Sequence, residues 1–150
     1  MTVVREWRRD GFVVSTDPVR LDLLLVQRWL AEESYWAKGI PLDVIERAAR
    51  GSLNFGLYGS DEQVAYARVV TDYATFAWLA DVFVAAAHRG RGLGKWLVEC
   101  VMACPELQDL RSYLLATADA HELYRRFGFE EPEPRRLMRK TDPDIYLRGR

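Results

Sequence analysis

The sequence predicts a single mixed α/β domain whose elements follow the order β-α-α-β-β-β-α-β-α-β. Two observations lead to this prediction. The chain has 150 residues, of which 49% are hydrophobic, and this is enough for one domain with a real core. Segments with apolar residues at helical spacing also alternate with short β-branched and aromatic runs that end in turn signals. We expect one domain over residues 1–150, with a loosely held tail from about residue 141.

The first half of the chain predicts one strand followed by two helices. The segment GFVVSTD is rich in β-branched residues and predicts a strand over residues 11–17. Asp17 is a favourable N-cap and Pro18 suits the first helical position, so a helix is expected over residues 17–34. A shorter helix is expected over residues 41–51, because a proline opens this segment and a glycine ends it.

The second half begins with strands. SLNFGLYG and EQVAYARVVT flank the turn signal GSDE and predict a hairpin. The run TFAWLADVFVAAA is almost continuously apolar, so we expect a central strand that is covered on both faces. The remaining predictions are a helix over residues 92–103, a strand over 111–118, a helix over 121–128 and a last strand over 135–140.

The charge balance and the lack of long apolar segments exclude several function classes. Charged residues make up 29% of the chain and the formal net charge is −1, which argues against nucleic acid as the main partner. The N-terminal stretch MTVVREWRRDG has no apolar run of signal-peptide length, and no stretch approaches the length of a membrane span. We expect a cytoplasmic protein without a membrane partner.

The two cysteines predict buried thiols and no metal site. Cys100 and Cys104 lie four residues apart in a helical segment and therefore share a face. Zinc sites usually need three or four protein ligands, and neither His88 nor His121 has a metal-ligand spacing to the cysteines. We interpret both cysteines as reduced side chains that pack as small apolar groups.

The segment HRGRGLGKWLVE, residues 88–99, places three glycines directly before a helical run. Glycine there indicates a tight turn or a close backbone approach, and the start of a helix favours an anion. A P-loop is excluded, because an arginine stands at its first glycine position and a tryptophan at its hydroxyl position. The dinucleotide fingerprint fails on glycine spacing, and an RNA-binding loop lacks an aromatic platform.

Two motifs in this half of the chain resemble those of the GNAT N-acetyltransferases. Arg89-x-x-Gly92-x-Gly94, after an apolar strand and before a helix, resembles the family's Q/R-x-x-G-x-G/A pyrophosphate loop. The residues before this loop also resemble the family pattern, at Val82, Val84 and Ala86. Ala86 stands where the family frequently has a proline. The segment ADAHELYRRFGF resembles the family's A-x-x-L-Y-x-x-x-G-F pattern. The match covers roughly residues 62–129, and the two motifs stand in the family's order.

The resemblance implies a GNAT-like fold, a mostly antiparallel sheet with splayed central strands, that binds acetyl-CoA. Backbone N–H groups of the glycine loop would hold the diphosphate, and the pantetheine arm would pair with the strand before that loop. Thr117 stands where the family often has an asparagine that bonds this arm. The implied cofactor-binding residues are Val82, Phe83, Val84, Arg89, Gly90, Arg91, Gly92, Leu93, Gly94, Lys95 and Thr117, with Arg91 and Lys95 near the remaining phosphate.

Tyr124 and Asp81 are the candidate catalytic residues. The resemblance places Tyr124 against the sulfur, where a phenol can give a proton to the departing thiolate. The alternative is that Tyr124 only packs its ring under the sheet. Asp81 is the only charge in an apolar strand, so it is either a general base or a member of an ion pair with Arg68 near Tyr66. A chain of water molecules could replace a dedicated base.

The acceptor pocket is expected near the loop that follows the first long helix, as the resemblance implies. Glutamates there could attract a cationic amine, and aromatic rings could face it by cation–π contact. The alternative is that the rings cap the core and the glutamates face water. The candidate acceptor-binding residues are Glu32, Glu33, Tyr35 and Trp36, together with Asp72 and Tyr73 in the turn before the apolar strand.

These observations favour an enzyme, an acetyl-CoA-dependent N-acetyltransferase that acts on a primary amine in a ternary complex. A small-molecule amine is the expected acceptor, and a homodimer is compatible with the resemblance because dimers are common in the family. One alternative is a non-catalytic domain that senses acyl-CoA, but such a domain does not need the Tyr124 hydroxyl. An adaptor for other proteins is the other alternative, and it leaves the glycine loop without a purpose.

Overall fold

A six-stranded sheet forms the centre of the molecule. The computed structural model describes residues 3–148. The strands are β1 (Glu6–Arg9), β2 (Phe12–Ser15), β3 (Leu53–Gly59), β4 (Glu62–Thr71), β5 (Phe76–Val84) and β6 (Ser112–Leu115). They lie side by side in chain order, and every neighbouring pair is antiparallel except β5 and β6, which run parallel. This arrangement confirms the mixed, mostly antiparallel α/β domain.

Four α-helices accompany the sheet within the described residues, namely α1 (Leu23–Glu33), α2 (Leu42–Arg50), α3 (Leu93–Ala103) and α4 (His121–Arg125). The first helix starts later than predicted because two aspartates act as separate caps. Asp17 accepts a hydrogen bond from the N–H of Val19 and caps a single 3₁₀ turn. Asp22 then accepts one from the N–H of Leu25 and starts α1.

The helices divide between the two faces of the sheet. α3 packs on one face, where Leu97 and Val101 join Phe55 in the larger hydrophobic cluster. α1 and α2 pack on the other face, where Leu30 and Phe83 belong to a second cluster. Both cysteines are free and buried in the first cluster, as the sequence predicted. Within residues 3–148, no helix is long and apolar enough to cross a bilayer.

The sheet begins with a strand that the sequence analysis missed. β1 pairs with β2 through a turn in which Asp10 and Gly11 both have positive φ angles, 51° and 83°. An Asp-Gly pair is a known hairpin signal, so the turn could have been found. The strand itself was hidden because EWRR contains one apolar residue and three charged ones, which is typical of an exposed edge strand.

Two expectations about the later strands are wrong. No strand forms over residues 135–140: Pro134–Arg136 form a 3₁₀ turn and the following residues are irregular and exposed. The segment 135–140 has four charged side chains and follows two prolines, and neither feature favours pairing with a neighbouring strand. β5 is not covered on both faces either, because Phe76 and Trp78 are each 37% exposed where α1 and α2 do not reach.

The C-terminal tail makes contacts of its own. Ile145–Leu147 form a 3₁₀ turn, and Tyr146 packs against the second cluster. The carbonyl oxygen of Tyr146 lies 3.2 Å from the position that a Cβ at Gly39 would occupy. Gly39 has a φ of +79°, so a side chain there is disfavoured both by the backbone and by this contact.

Candidate active site

The sheet opens between β5 and β6, as the family resemblance implied. The pairing of these strands ends at Leu79 and Leu115, but β5 continues to Val84. On its other side, this last part of β5 stays paired with β4, where Tyr66 lies opposite Phe83. Within residues 3–148, no strand pairs with the free side of residues 82–84. We call the gap between β5 and β6 beyond Leu79 and Leu115 the cleft. An extended chain could pair with the free edge of β5 inside it.

The opening coincides with a bulge at Asp81. Two residues of β5, Asp81 and Val82, lie opposite one residue of β4, because the register shifts between Tyr66 and Arg68. Asp81 has a φ of +55°, which is uncommon for a residue other than glycine but which aspartate tolerates better than most. A bulge generally bends its strand and increases the local twist, and this one lies just beyond the point where the pairing of β5 with β6 ends.

The Asp81 carboxylate is held by two donors. The Arg68 Nε lies 2.6 Å from one oxygen, and the Trp36 Nε1 lies 2.8 Å from the other. The Asp81 side chain is only 9% exposed. Of the two interpretations that the sequence left open, the structure shows the ion pair with Arg68. Tyr66 does not join it, since its hydroxyl donates to Asn54.

The glycine loop lies at the end of β5 and leads into α3. Gly90 and Gly92 have φ angles of 78° and 77°, and a Cβ at either position would meet no atom within 4 Å. A Cβ at Gly94 would lie 3.4 Å from a Val84 methyl group, so Gly94 allows α3 to start close against β5. No side chain caps the first turn of α3, so its first N–H groups are available to a ligand.

The charged side chains of the loop bind neighbouring groups of the protein. Arg89 donates from its Nε to the Val84 carbonyl oxygen at 2.9 Å, and its guanidinium lies 5.1 Å from the centre of the Phe83 ring. Arg91 lies near the His88 ring and over Phe12, whereas the Lys95 side chain is exposed to solvent.

Leu93 and Thr117 each have one group that is already engaged within the protein. The Leu93 side chain is buried in the core, so only its backbone is available. Thr117 lies just beyond the end of β6. Its hydroxyl oxygen accepts hydrogen bonds from the N–H groups of Ala120, at 3.0 Å, and Asp119, at 3.4 Å. That oxygen therefore supports the turn before α4.

Tyr124 lies in α4 with its ring in the core. The residue is 8% exposed, and its ring packs edge-on against Phe129 with 6.0 Å between the centres. Burial raises the pKa of Tyr124 to about 12, and the nearby Tyr35 and Asp119 add to this rise. Its hydroxyl makes no hydrogen bond to any residue of the described chain. The phenol is thus protonated at neutral pH and free to donate.

Tyr35 and Trp36 reach the cleft from the loop after α1. The Tyr35 hydroxyl accepts a hydrogen bond from the N–H of Ala118 at 2.9 Å, and the two aromatic rings pack edge-on at 4.9 Å. No sequence pattern indicated the contact between Tyr35 and Ala118. The other two candidates of this segment, Glu32 and Glu33, are exposed at the end of α1, and their carboxylates have no partner within residues 3–148.

Asp72 and Tyr73 do not join this group. They lie in the turn before β5, at the opposite end of that strand from the glycine loop. The Asp72 carboxylate accepts hydrogen bonds from the backbone of Ala74, Thr75 and Phe76. These bonds, together with one from the Thr75 hydroxyl, hold the pKa of Asp72 well below its usual range. Asp72 is the residue that closes the β4–β5 turn.

The comparisons with known proteins identify the family. The family described as the acetyltransferase (GNAT) domain matches residues 50–131, more than half of the chain. A curated Gibberella zeae protein described as a candidate acetyltransferase (FG08082) is 31% identical, and the match covers 83% of this chain and 81% of that protein. The chain therefore belongs to the GNAT acetyltransferase family.

Solved structures agree with this assignment. A GNAT-family structure from Xanthomonas campestris pv. campestris has 49% sequence identity and a TM-score of 0.86, over 97% of this chain and 98% of that one. An acetyltransferase structure from Clostridium acetobutylicum, solved with acetyl-CoA, has a TM-score of 0.61 and 12% identity. The match covers 94% of this chain and 96% of the Clostridium chain. At 12% identity, the likeness concerns the fold alone.

Proposed function

We propose that this protein is an acetyl-CoA-dependent N-acetyltransferase that moves an acetyl group to a primary amine by direct attack in a ternary complex. One observation carries the proposal. The free edge of residues 82–84 is followed, after a 3₁₀ turn at Ala86–His88, by the glycine loop and the uncapped start of α3. A ligand with an extended amide-containing arm and a diphosphate at its end fits this succession of groups, and acetyl-CoA has this chemistry.

The residues of the cleft fit the two parts of such a ligand. The loop from Arg89 to Gly94 can offer backbone N–H groups to phosphate oxygens, since no Cβ at Gly90 or Gly92 stands in the way. The dipole of α3 favours the negative charge there. The backbone groups of Val82 and the N–H of Val84 can pair with amides of the arm, as in the addition of a strand, whereas the Val84 carbonyl oxygen already accepts from Arg89.

Two groups of this chain would then act on the acetyl thioester that the bound donor supplies. A backbone N–H of Val82 or Phe83 would donate to the carbonyl oxygen while negative charge develops on it. Tyr124 would give its proton to the departing sulfur. Its raised pKa keeps the phenol protonated over the whole physiological range and also makes it a weaker acid than an exposed tyrosine, so the role depends on its position and not on the shift.

The proton of the attacking ammonium group needs a different route. Asp81 is an unsuitable base because its two oxygens already accept from Arg68 and Trp36. We propose that a chain of water molecules takes this proton instead of a dedicated side chain. Tyr35 and Trp36 are exposed beside the cleft, so their rings can contact a cationic amine. We propose a small-molecule amine as the acceptor and the cytoplasm as the location. The formal net charge of −1 argues against nucleic acid as the main partner.

The test is a screen for thiol release. Purified protein is mixed with acetyl-CoA and a panel of amines: amino acids, polyamines, aminoglycosides and peptides with free amines. Release of free CoA that rises with one class of amine, together with the acetylated amine in the mass spectrum, supports the proposal. Tight CoA binding in calorimetry, without amine-dependent release across the panel, would contradict the enzyme and favour a domain that senses acyl-CoA.

A further inference from the structure

The loop between α1 and α2 crosses the opening of the sheet. We call residues Ser34 to Ala37 the strap. Its ends are fixed: the Ser34 hydroxyl donates to the Leu30 carbonyl oxygen at 2.7 Å and accepts from the N–H of Ala37 at 3.0 Å, and both residues are buried. Between them, Tyr35 and Trp36 are 58% and 42% exposed. Exposed rings between two buried anchors indicate a segment that is held in place for contact with something outside the core.

The two exposed rings of the strap bind opposite sides of the cleft. Trp36 donates to Asp81 on β5, and Tyr35 accepts from Ala118, which follows β6. β5 and β6 separate after Leu79 and Leu115, so the strap spans the gap that this separation leaves. These two hydrogen bonds are side-chain links between strands that no longer share backbone bonds there.

Asp81 is the fixed point of the strap on β5. Its backbone has the disfavoured positive φ, and its carboxylate is bound on one side by Arg68 and on the other by Trp36. Arg68 also donates to the Ser52 hydroxyl at 3.2 Å, which ties the group to the start of β3. A disfavoured backbone conformation persists only when its surroundings enforce it, and here the two donors do so.

We propose that Asp81 is a positioning residue that holds the strap across the cleft, so that Tyr35 and Trp36 form the wall along which the acceptor amine approaches the acetyl group. The inference rests on the proposed function. Asp81 acts through Trp36 and through the bulge, and it does not touch the reacting atoms. The strap holds Tyr35 against Ala118, in the turn that leads into α4, the helix that carries Tyr124.

Three variants separate positioning from base catalysis. Trp36→Phe removes the indole donor and keeps an aromatic ring. We expect kcat/KM for the acceptor to fall about tenfold, with acetyl-CoA affinity within about twofold of wild type. Asp81→Asn keeps an oxygen for Trp36 and tolerates the positive φ, so a fall of about threefold and an unchanged acid limb of the pH profile are expected. Asp81→Ala removes the carboxylate that accepts from both Arg68 and Trp36, and alanine is less tolerant of a positive φ. We therefore expect kcat/KM for the acceptor to fall at least tenfold.

The double variant Trp36→Phe with Asp81→Ala should be no worse than Asp81→Ala alone, because both changes remove the same hydrogen bond. Trp7→Phe is the matched control. It makes the same chemical change in β1, at the far edge of the sheet, where the ring packs near Phe55. We expect Trp7→Phe to lower the melting temperature without changing the acceptor kinetics. Equal large losses in Asp81→Asn and Asp81→Ala, with loss of the acid limb, would overturn the inference in favour of a base.

Hydrogen–deuterium exchange tests the strap without any acceptor. In wild type, the Ala118 N–H should be protected by Tyr35, and in Trp36→Phe this protection should fall while that of α3 stays constant. This measurement remains informative if no amine is acetylated, so failure of the proposed function and failure of the inference can be told apart. Unchanged exchange at Ala118 in Trp36→Phe, or wild-type acceptor kinetics in that variant, would show that Trp36 does not position the strap.

Discussion

Gly92 offers the sharpest test of the phosphate site, because the structure separates its effect on folding from its effect on binding. The residue starts α3 with a φ of +77°, and a Cβ there would meet no atom within 4 Å. Gly92→Ala therefore costs only the conformational penalty of a left-handed residue, about 1 kcal/mol. For a chain of 150 residues, this lowers the melting temperature by about 2–4 °C.

The binding effect of Gly92→Glu should be much larger. A carboxylate on this side chain lies where the diphosphate must approach. Two like charges about 4 Å apart, at an effective dielectric constant of about 20, repel by about 4 kcal/mol, which weakens CoA affinity about a thousandfold. Gly11→Ala is the matched control, since Gly11 has a φ of +83° and equally open surroundings but lies in the β1–β2 turn. Gly11→Ala should lose about as much stability as Gly92→Ala and bind CoA with wild-type affinity.

Isothermal titration calorimetry with CoA, combined with thermal unfolding of each variant, measures both quantities. A folded Gly92→Glu protein with wild-type CoA affinity would refute the reasoning, and the phosphates would have to bind elsewhere. Loss of CoA binding in Gly11→Ala would also refute it, because the effect would then come from general destabilisation.

Three further predictions concern single groups. Tyr124→Phe should lower kcat by about tenfold to a few hundredfold, with acetyl-CoA affinity and stability little changed, in steady-state kinetics where chemistry limits the rate. Burial raises the pKa of Cys100 to about 12 and that of Cys104 to about 11. Mass spectrometry should therefore find no alkylation of the native protein at pH 8, and two labels after unfolding in urea. Glu106→Gln should lower the melting temperature at pH 7, because Arg5 binds the Glu106 carboxylate with two nitrogens and lowers its pKa.

The Glu106 prediction has a definite pH window. A carboxyl whose pKa is lower in the folded state stabilises the fold above its unfolded pKa, about 4.3, and this contribution is lost as the pH falls through the folded value. The melting temperatures of wild type and Glu106→Gln should therefore converge in acid. A difference in melting temperature that persists in acid would contradict the role of the Arg5–Glu106 pair. Wild-type kcat in Tyr124→Phe would contradict the role of Tyr124 as an acid. Rapid alkylation of the native protein would contradict the burial of the two thiols.

Local signals accounted for most of the fold. The hairpin of β3 and β4 followed from its turn residues, where Ser60 and Asp61 have the positive φ angles that such a turn requires. α3 and the glycine loop followed from the spacing of apolar residues and glycines. The missed β1 and the wrong strand over residues 135–140 share one cause. The pairing of an edge strand depends on its neighbour in the sheet more than on its own residues.

The candidate site divides in the same way. The glycines and Tyr124 belong to short motifs, because a phosphate cradle needs residues at fixed spacing along one turn and one helix start. The sequence by itself determined these residues as candidates, whereas the free end of β5 was implied only by the family resemblance. It left Asp81 between a base and an ion pair, because a buried carboxylate is defined by its partners and those come from other elements. The tertiary structure decided this point by bringing Trp36 and Arg68, which are 45 and 13 residues away, to the two oxygens of Asp81. The link between Tyr35 and Ala118 spans 83 residues, and it exists only because β5 and β6 separate beneath the strap.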